Sequence, residues 1–170
     1  MEYQHRAEAA QAADDETAAR LVEANINPAT GFATDYLNHF NEAIMLLEML
    51  PDCPDCIGDF LAWRPMSYRE HFVASHFKGR DLAIAAYDAA NPALRDCLDT
   101  MATTMTAVLE ATRESMRPGM PPIEAAALAE QAAAWLKPLL ARAAALINGE
   151  GDGEMTDAQA TADRLMKTTL

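Results

Sequence analysis

Apolar residues recur three and four positions apart along every long segment of this chain, and no segment alternates apolar with polar residues. That period lays a single apolar stripe along an α-helix and gives a β-strand no inner face. The spacing therefore predicts an all-α protein. Composition agrees. Alanine, the strongest helix former, is abundant, and the seven glycines cluster near breaks.

Prolines, asparagines and caps divide the chain. Residues 4–25 read as an Ala- and charge-rich helix with little to bury beyond Leu21, Val22 and the nearby Ile26, a lightly attached arm. Asn27-Pro28 and Gly31 break it. The first core helix is expected at 32–50, where Tyr36, Phe40, Ala43, Ile44 and Leu47 share a face. Met45 to Leu50 is apolar nearly all round, so that end is expected to be buried on several sides. Pro51 stops it, and 51–66, with three prolines, reads as a connection. Ser67 and Glu70 form a capping box that opens a helix running to about Ala90. Asn91-Pro92 starts the next, 92–116, with Leu94, Leu98, Met101, Met105, Val108 and Leu109 as its stripe. After Pro118-Gly119-Met120-Pro121-Pro122 comes a helix over 122–147, with Leu128, Ala132, Trp135, Leu139 and Leu146 on one side. Pro138 inside it predicts a kink, and Asn148-Gly149 suits its C-terminus. An acidic linker at 149–154 and a short helix at 156–168 complete the chain. The simplest packing is an antiparallel four-helix bundle at 28–148, with an N-terminal arm at 1–27 and a tail at 149–170.

Thirteen basic and 26 acidic side chains give a net charge of −13. Such a surface repels phosphate backbones and anionic lipid, so nucleic-acid and membrane partners are not expected. Basic or neutral protein surfaces, or a cation, suit it better. No run approaches the roughly 20 apolar residues of a membrane span, and the N-terminus has no basic-then-apolar export pattern. The expected location is the cytoplasm. The odd count of cysteines (Cys53, Cys56, Cys97) then favours free thiols or metal ligands over a disulfide framework.

Cys53-Pro54-Asp55-Cys56 followed by His71 and His76 has the spacing C-x2-C-x14-H-x4-H, inside the loose template for a zinc site. Helix geometry opposes it. Positions five apart on a regular helix point about 140° away from each other. A single unbroken helix over 67–90 sends His76 inward, among Phe72, Val73, Ala83 and Tyr87, and His71 outward beside Glu70 and Lys78. A mononuclear site with Cys53, Cys56 and His76 then needs a distorted helix. Arg80, four residues after His76, shares its face, and the pair could line a small inter-helix pocket for an anion or a metal. The bland alternative is a hydrogen-bonded core histidine with an arginine whose head reaches solvent.

Asp35, His39 and Glu42 run along one side of the first core helix beside Asn38, a stripe that can chelate a metal where it meets another helix but otherwise faces solvent. The Cys-Pro-Asp-Cys pair lacks the neighbouring strand usual for thiol-redox motifs. His76-Phe77-Lys78-Gly79 is similar to the phosphorylated segment of histidine phosphotransfer domains, with the histidine one residue too close to Lys-Gly.

Leu50-Pro51, Trp63-Arg64-Pro65, and Ser67 capping a helix with Arg69-Glu70 in its first turn together resemble the helix 1–helix 2 junction of the DinB-like four-helix bundle superfamily. The resemblance spans about a fifth of the chain. It implies a four-helix bundle with a divalent metal, such as zinc, on three histidines, and in some members thiol-dependent transfer or isomerisation. The second-helix histidine of that pattern falls near Ala74, and no histidine follows His76, so the three-histidine site does not carry over.

Two functions follow from the sequence. The favoured one is a non-enzymatic interaction or regulatory module with a protein partner, and the ten methionines allow a homodimer. The other is a DinB-like bundle binding a metal or small ligand around His76, Arg80, Cys53 and Cys56.

Overall fold

The computed structural model describes the backbone of residues 2–150 apart from Pro118, and side chains from Gln11 onward. The expected helix at 156–168 and most of the acidic linker lie outside the described residues. Within them the chain is all-α, as its periodicity requires: α1 (Glu2–Glu23), α2 (Tyr36–Met49), α3 (Ile57–Ala62), α4 (Tyr68–Ala74), α5 (Arg80–Ala89), α6 (Pro92–Ser115) and α7 (Pro122–Ile147). No helix among these residues is long and apolar enough to cross a membrane.

α7 is the packing centre and lies against both α6 and α2. Its buried face is built largely of alanines, with Ala125, Ala129, Ala132, Ala133 and Ala143 beside Leu136, Leu146 and Ile147. The expected stripe is corrected at one position, since Ala132 and Leu146 are buried and Leu128 and Leu139 pack against the core. Trp135 is 59% exposed, because the small side chains are the ones turned to the neighbouring helices. The helix runs through Pro138. On α2 the expected face of Tyr36, Phe40, Ala43, Ile44 and Leu47 is buried, but Met45 and Met49 are exposed rather than enclosed.

Two further expectations are corrected. The connection at 51–66 contains a short 3-10 turn, Pro54–Cys56, and then α3, whose Phe60 is buried. The helix expected over 67–90 is two helices. α4 begins at the expected capping box, with Ser67 accepting from the Glu70 N–H and Glu70 accepting from the Ser67 N–H at 2.8 Å. It ends at Ser75, whose hydroxyl donates to the Phe72 carbonyl at 3.1 Å and accepts from the Phe77 N–H. Serine so engaged competes with the helical ladder. Gly79, at the head of α5, sits where a Cβ would come within 2.9 Å of Ala24 and 3.0 Å of Phe77. The break thus admits the end of α1 against α5, anchoring the expected loose arm through Leu21 and Ala24.

Residues 25–35 tie the loop after α1 to the C-terminal end of α7. Asn27 Nδ2 and Thr30 Oγ1 both donate to the Ile147 carbonyl, at 2.9 and 2.8 Å. The α7 terminus closes as expected on Asn148-Gly149, with Gly149 (φ +75°) donating to Leu146 and Glu150 to Ala145. This is a Schellman motif, and the two side chains occupy the neighbouring orphan carbonyl. Gly31, at φ +77°, lets the loop press on α5, where a Cβ would come within 2.8 Å of the Ala86 carbonyl oxygen.

Candidate functional site

The capping box fixes the start of α4 and so the direction of Tyr68, its first residue. Tyr68 stacks on Tyr87 of α5 with ring centres 4.5 Å apart and planes within 12°. Its hydroxyl accepts the Ala33 N–H at 2.9 Å. Tyr87 in turn reaches Asp99 of α6, its hydroxyl 2.7 Å from both carboxylate oxygens. Tyr36 of α2 packs on Tyr68 at 5.1 Å and donates to the Met66 carbonyl at 3.2 Å.

These groups border a cleft of about 380 Å³, completed by Ser67, Glu70, Thr103 and Thr106. That volume suits a small molecule. Burial, reinforced by the nearby Asp99 carboxylate, holds the phenols of Tyr36 and Tyr87 well above the ordinary range, and burial does the same for Tyr68. All three stay neutral donors at physiological pH. Glu70 is held below the usual carboxylate range by its hydrogen bonds to Ser67. The cleft therefore presents two carboxylates and several hydroxyls, and neither lysine nor arginine lines it.

Beside Tyr36 lies a pair of imidazoles. His39 is 3% exposed, stacks on Trp63 at 4.6 Å, and accepts the Met66 N–H at Nε2 at 3.0 Å. Trp63 Nε1 donates back to the His39 carbonyl at 3.2 Å. The His71 ring is 6.1 Å from that of His39 and 5.8 Å from that of Tyr36. Burial, with His71 adding to it, lowers the His39 pKa from 6.5 to about 4. Burial also lowers that of His71, against the opposing pull of Asp35. Both imidazoles are neutral at pH 7.

The expected placement of the two histidines is thus reversed. His76 falls in the break and is exposed, while His71 is half-buried against the aromatic core. The unbroken helix on which the inward reading of His76 rested is absent, and with it the argument that favoured a metal-free adaptor. Arg80 is exposed as well and pairs with Asp81 at 3.6 Å, so His76 and Arg80 form no inner wall. The stripe read as solvated is also divided: Asn38 and Glu42 are exposed and Asp35 half-exposed, but His39 is core. Cys53 and Cys56, expected as free thiols or ligands, are joined as a disulfide, and Cys97 is free. Among the described residues no group of three or more His, Cys, Asp or Glu side chains is placed to hold a metal ion.

Sequence reasoning missed Asp99 and took Tyr36 and Tyr87 as core alone. The usable signal was the tyrosines themselves, since a buried phenol needs a hydrogen-bond partner. Comparison with family models, curated proteins and solved structures gives no match.

Proposed function

We propose that this protein is a small-ligand-binding helical bundle whose cleft takes an organic cation carrying hydrogen-bond donors, such as a primary amine or a guanidinium. The observation that carries the reading is the Tyr87–Asp99 pair at a cleft lined by Glu70, Thr103 and Thr106, with no lysine or arginine in its lining and the Arg95 guanidinium 5.9 Å from the centre of the Tyr87 ring. Tyr87 donates one proton to Asp99, which leaves carboxylate lone pairs for a ligand. The net charge of −13 adds a long-range attraction for cations.

Four helical passes, α2, α4 with α5, α6 and α7, support reading the core as an antiparallel four-helix bundle of the DinB-like kind. Metal chemistry through Cys53, Cys56 and His76 has less support, since two of its three donors are spent in a disulfide.

The test is calorimetric titration with agmatine, spermidine and tetramethylammonium, with acetate and glucose as controls. Agmatine or spermidine is expected to bind, and Asp99→Asn to weaken binding by about tenfold, the loss of one charge-assisted hydrogen bond. Binding by none of the cations, or unchanged binding in the variant, would remove the reading.

A second reading, an interaction module with a protein partner or a second copy, is favoured by Trp135 and Ile123 of α7, 59% and 78% exposed. Exposed tryptophan is a frequent anchor of interfaces. Light scattering on the wild type and on Trp135→Ala checks self-association directly.

A further inference from the structure

The Cys53–Cys56 pair lies outside the cleft and takes no part in the proposed binding. Its geometry points to a thiol–disulfide exchange site, and we propose that this chain passes electrons between its own dithiol and small neutral or cationic disulfides.

Four observations carry this. First, the Cα atoms of Cys53 and Cys56 are 5.6 Å apart, near the middle of the range a disulfide tolerates. The bond can therefore open and close without backbone movement. Second, it links positions separated by only 3 in sequence, a short loop in which a cross-link constrains the unfolded chain little, so stability alone is a weak reason for it. Third, the two cysteines, both half-exposed, differ in their packing. Cys56 packs against the hydrophobic core, whereas Cys53 precedes the 3-10 turn and is not part of that packing. The attacking role is therefore assigned to Cys53, the one outside that packing, and the resolving role to Cys56. Fourth, the site has a wall for a substrate. Pro54 and Ile57 border an apolar pocket of about 260 Å³ with Leu50, Leu61 and Met120.

The exchange proceeds in two balanced steps. The Cys53 thiolate attacks one sulfur of a substrate disulfide, forming a mixed disulfide and releasing one substrate thiolate. The Cys56 thiolate then attacks Cys53 Sγ, forming the Cys53–Cys56 bond and releasing the second. Two electrons pass from the protein dithiol to the substrate, and the two thiol protons end on the released thiols. Asp52, Asp55 and Asp59, all exposed, flank the pair in sequence and outnumber Arg117, the basic residue that lines the pocket. They repel anionic substrates and favour neutral or cationic ones, while the apolar pocket accommodates a substrate's hydrocarbon arm.

The experiment uses the full chain carrying Cys97→Ser, pre-reduced and freed of reductant. It is mixed at low salt with cystamine, 2-hydroxyethyl disulfide, the disulfide of 2-mercaptoethanesulfonate, and lipoamide. Intact mass follows the Cys53–Cys56 bond, and circular dichroism follows the fold. Oxidation by cystamine is expected about tenfold faster than by the sulfonate disulfide, the gap closing with salt or with Asp52, Asp55 and Asp59 changed together to asparagine. Lipoamide is expected to react faster than 2-hydroxyethyl disulfide. Cys56→Ser should accumulate the mixed disulfide on Cys53, and Cys53→Ser should react at least about tenfold more slowly. Rates no higher than those of free 2-mercaptoethanol thiolate would overturn the proposal. So would loss of the helical signal on reduction, which marks a purely structural bond. Equal rates for cystamine and the sulfonate disulfide, or for lipoamide and 2-hydroxyethyl disulfide, would overturn the substrate assignment.

Discussion

Acid should destabilise this protein, with His39 the largest resolved contributor among its histidines. His39 accepts the Met66 N–H at Nε2, so a proton placed there would break that bond and leave a charge in the core. Burial accordingly lowers its pKa from 6.5 to about 4. The unfolded chain takes up the proton below 6.5 and the folded chain only below about 4. The stability contributed by a neutral His39 is thus complete above 6.5 and falls away as pH drops through that window. The full difference corresponds to roughly 3 kcal/mol, and about 2 kcal/mol of it should be gone by about pH 5. Urea unfolding of the wild type and of His39→Gln at about pH 7.5 and about pH 5 isolates the effect. Glutamine can supply an acceptor to Met66 but does not titrate, and the carboxylates and His71 are common to both proteins. The wild type should lose about 2 kcal/mol more than the variant on acidification. A difference below about 0.5 kcal/mol would show that His39 is not held neutral by its surroundings and would refute the argument.

Other changes test the joints. Gly31→Ala combines a left-handed backbone with a Cβ pressed on the Ala86 carbonyl, and should cost roughly 2–4 kcal/mol in urea unfolding, well above an ordinary Gly→Ala change. Thr30→Val keeps the shape but removes a buried donor to Ile147, and should cost about 1 kcal/mol by the same measurement. Ser67→Ala removes the hydroxyl half of the capping box and should cost about 1 kcal/mol, with amide exchange speeding first at the start of α4.

Much of the fold is legible because its signals are local. Asn91-Pro92, the Ser67–Glu70 box and Asn148-Gly149 each act within one turn of helix, and each stands where the sequence places it. The face of α2 is legible too, since large apolar residues define it. α7 is legible only in part: Leu128, Ala132, Leu139 and Leu146 lie on its inner side, but alanine carries no directional signal and packs inward or faces water at little cost, and the large Trp135, expected inside, is exposed. The break at Ser75–Gly79 is hidden for a different reason. Neither residue forbids a helix, and the close approach of Gly79 to Ala24, just past the end of the distant α1, becomes visible only in three dimensions. That break decides which histidine turns inward, so the candidate site shifted from His76 and Arg80 to the tyrosines, Asp99 and the His39–His71 pair.

The double hydrogen bond onto the Ile147 carbonyl ties together residues 120 and 117 positions apart. Fraying of the last described helix and loosening of the first loop are consequently one event. The same loop donates the Ala33 N–H to Tyr68 and presses Gly31 on α5. A disturbance at residue 147 therefore has a mechanical route to the wall of the cleft, and a truncation that removes that carbonyl should be felt at Tyr68 before it is felt along α6.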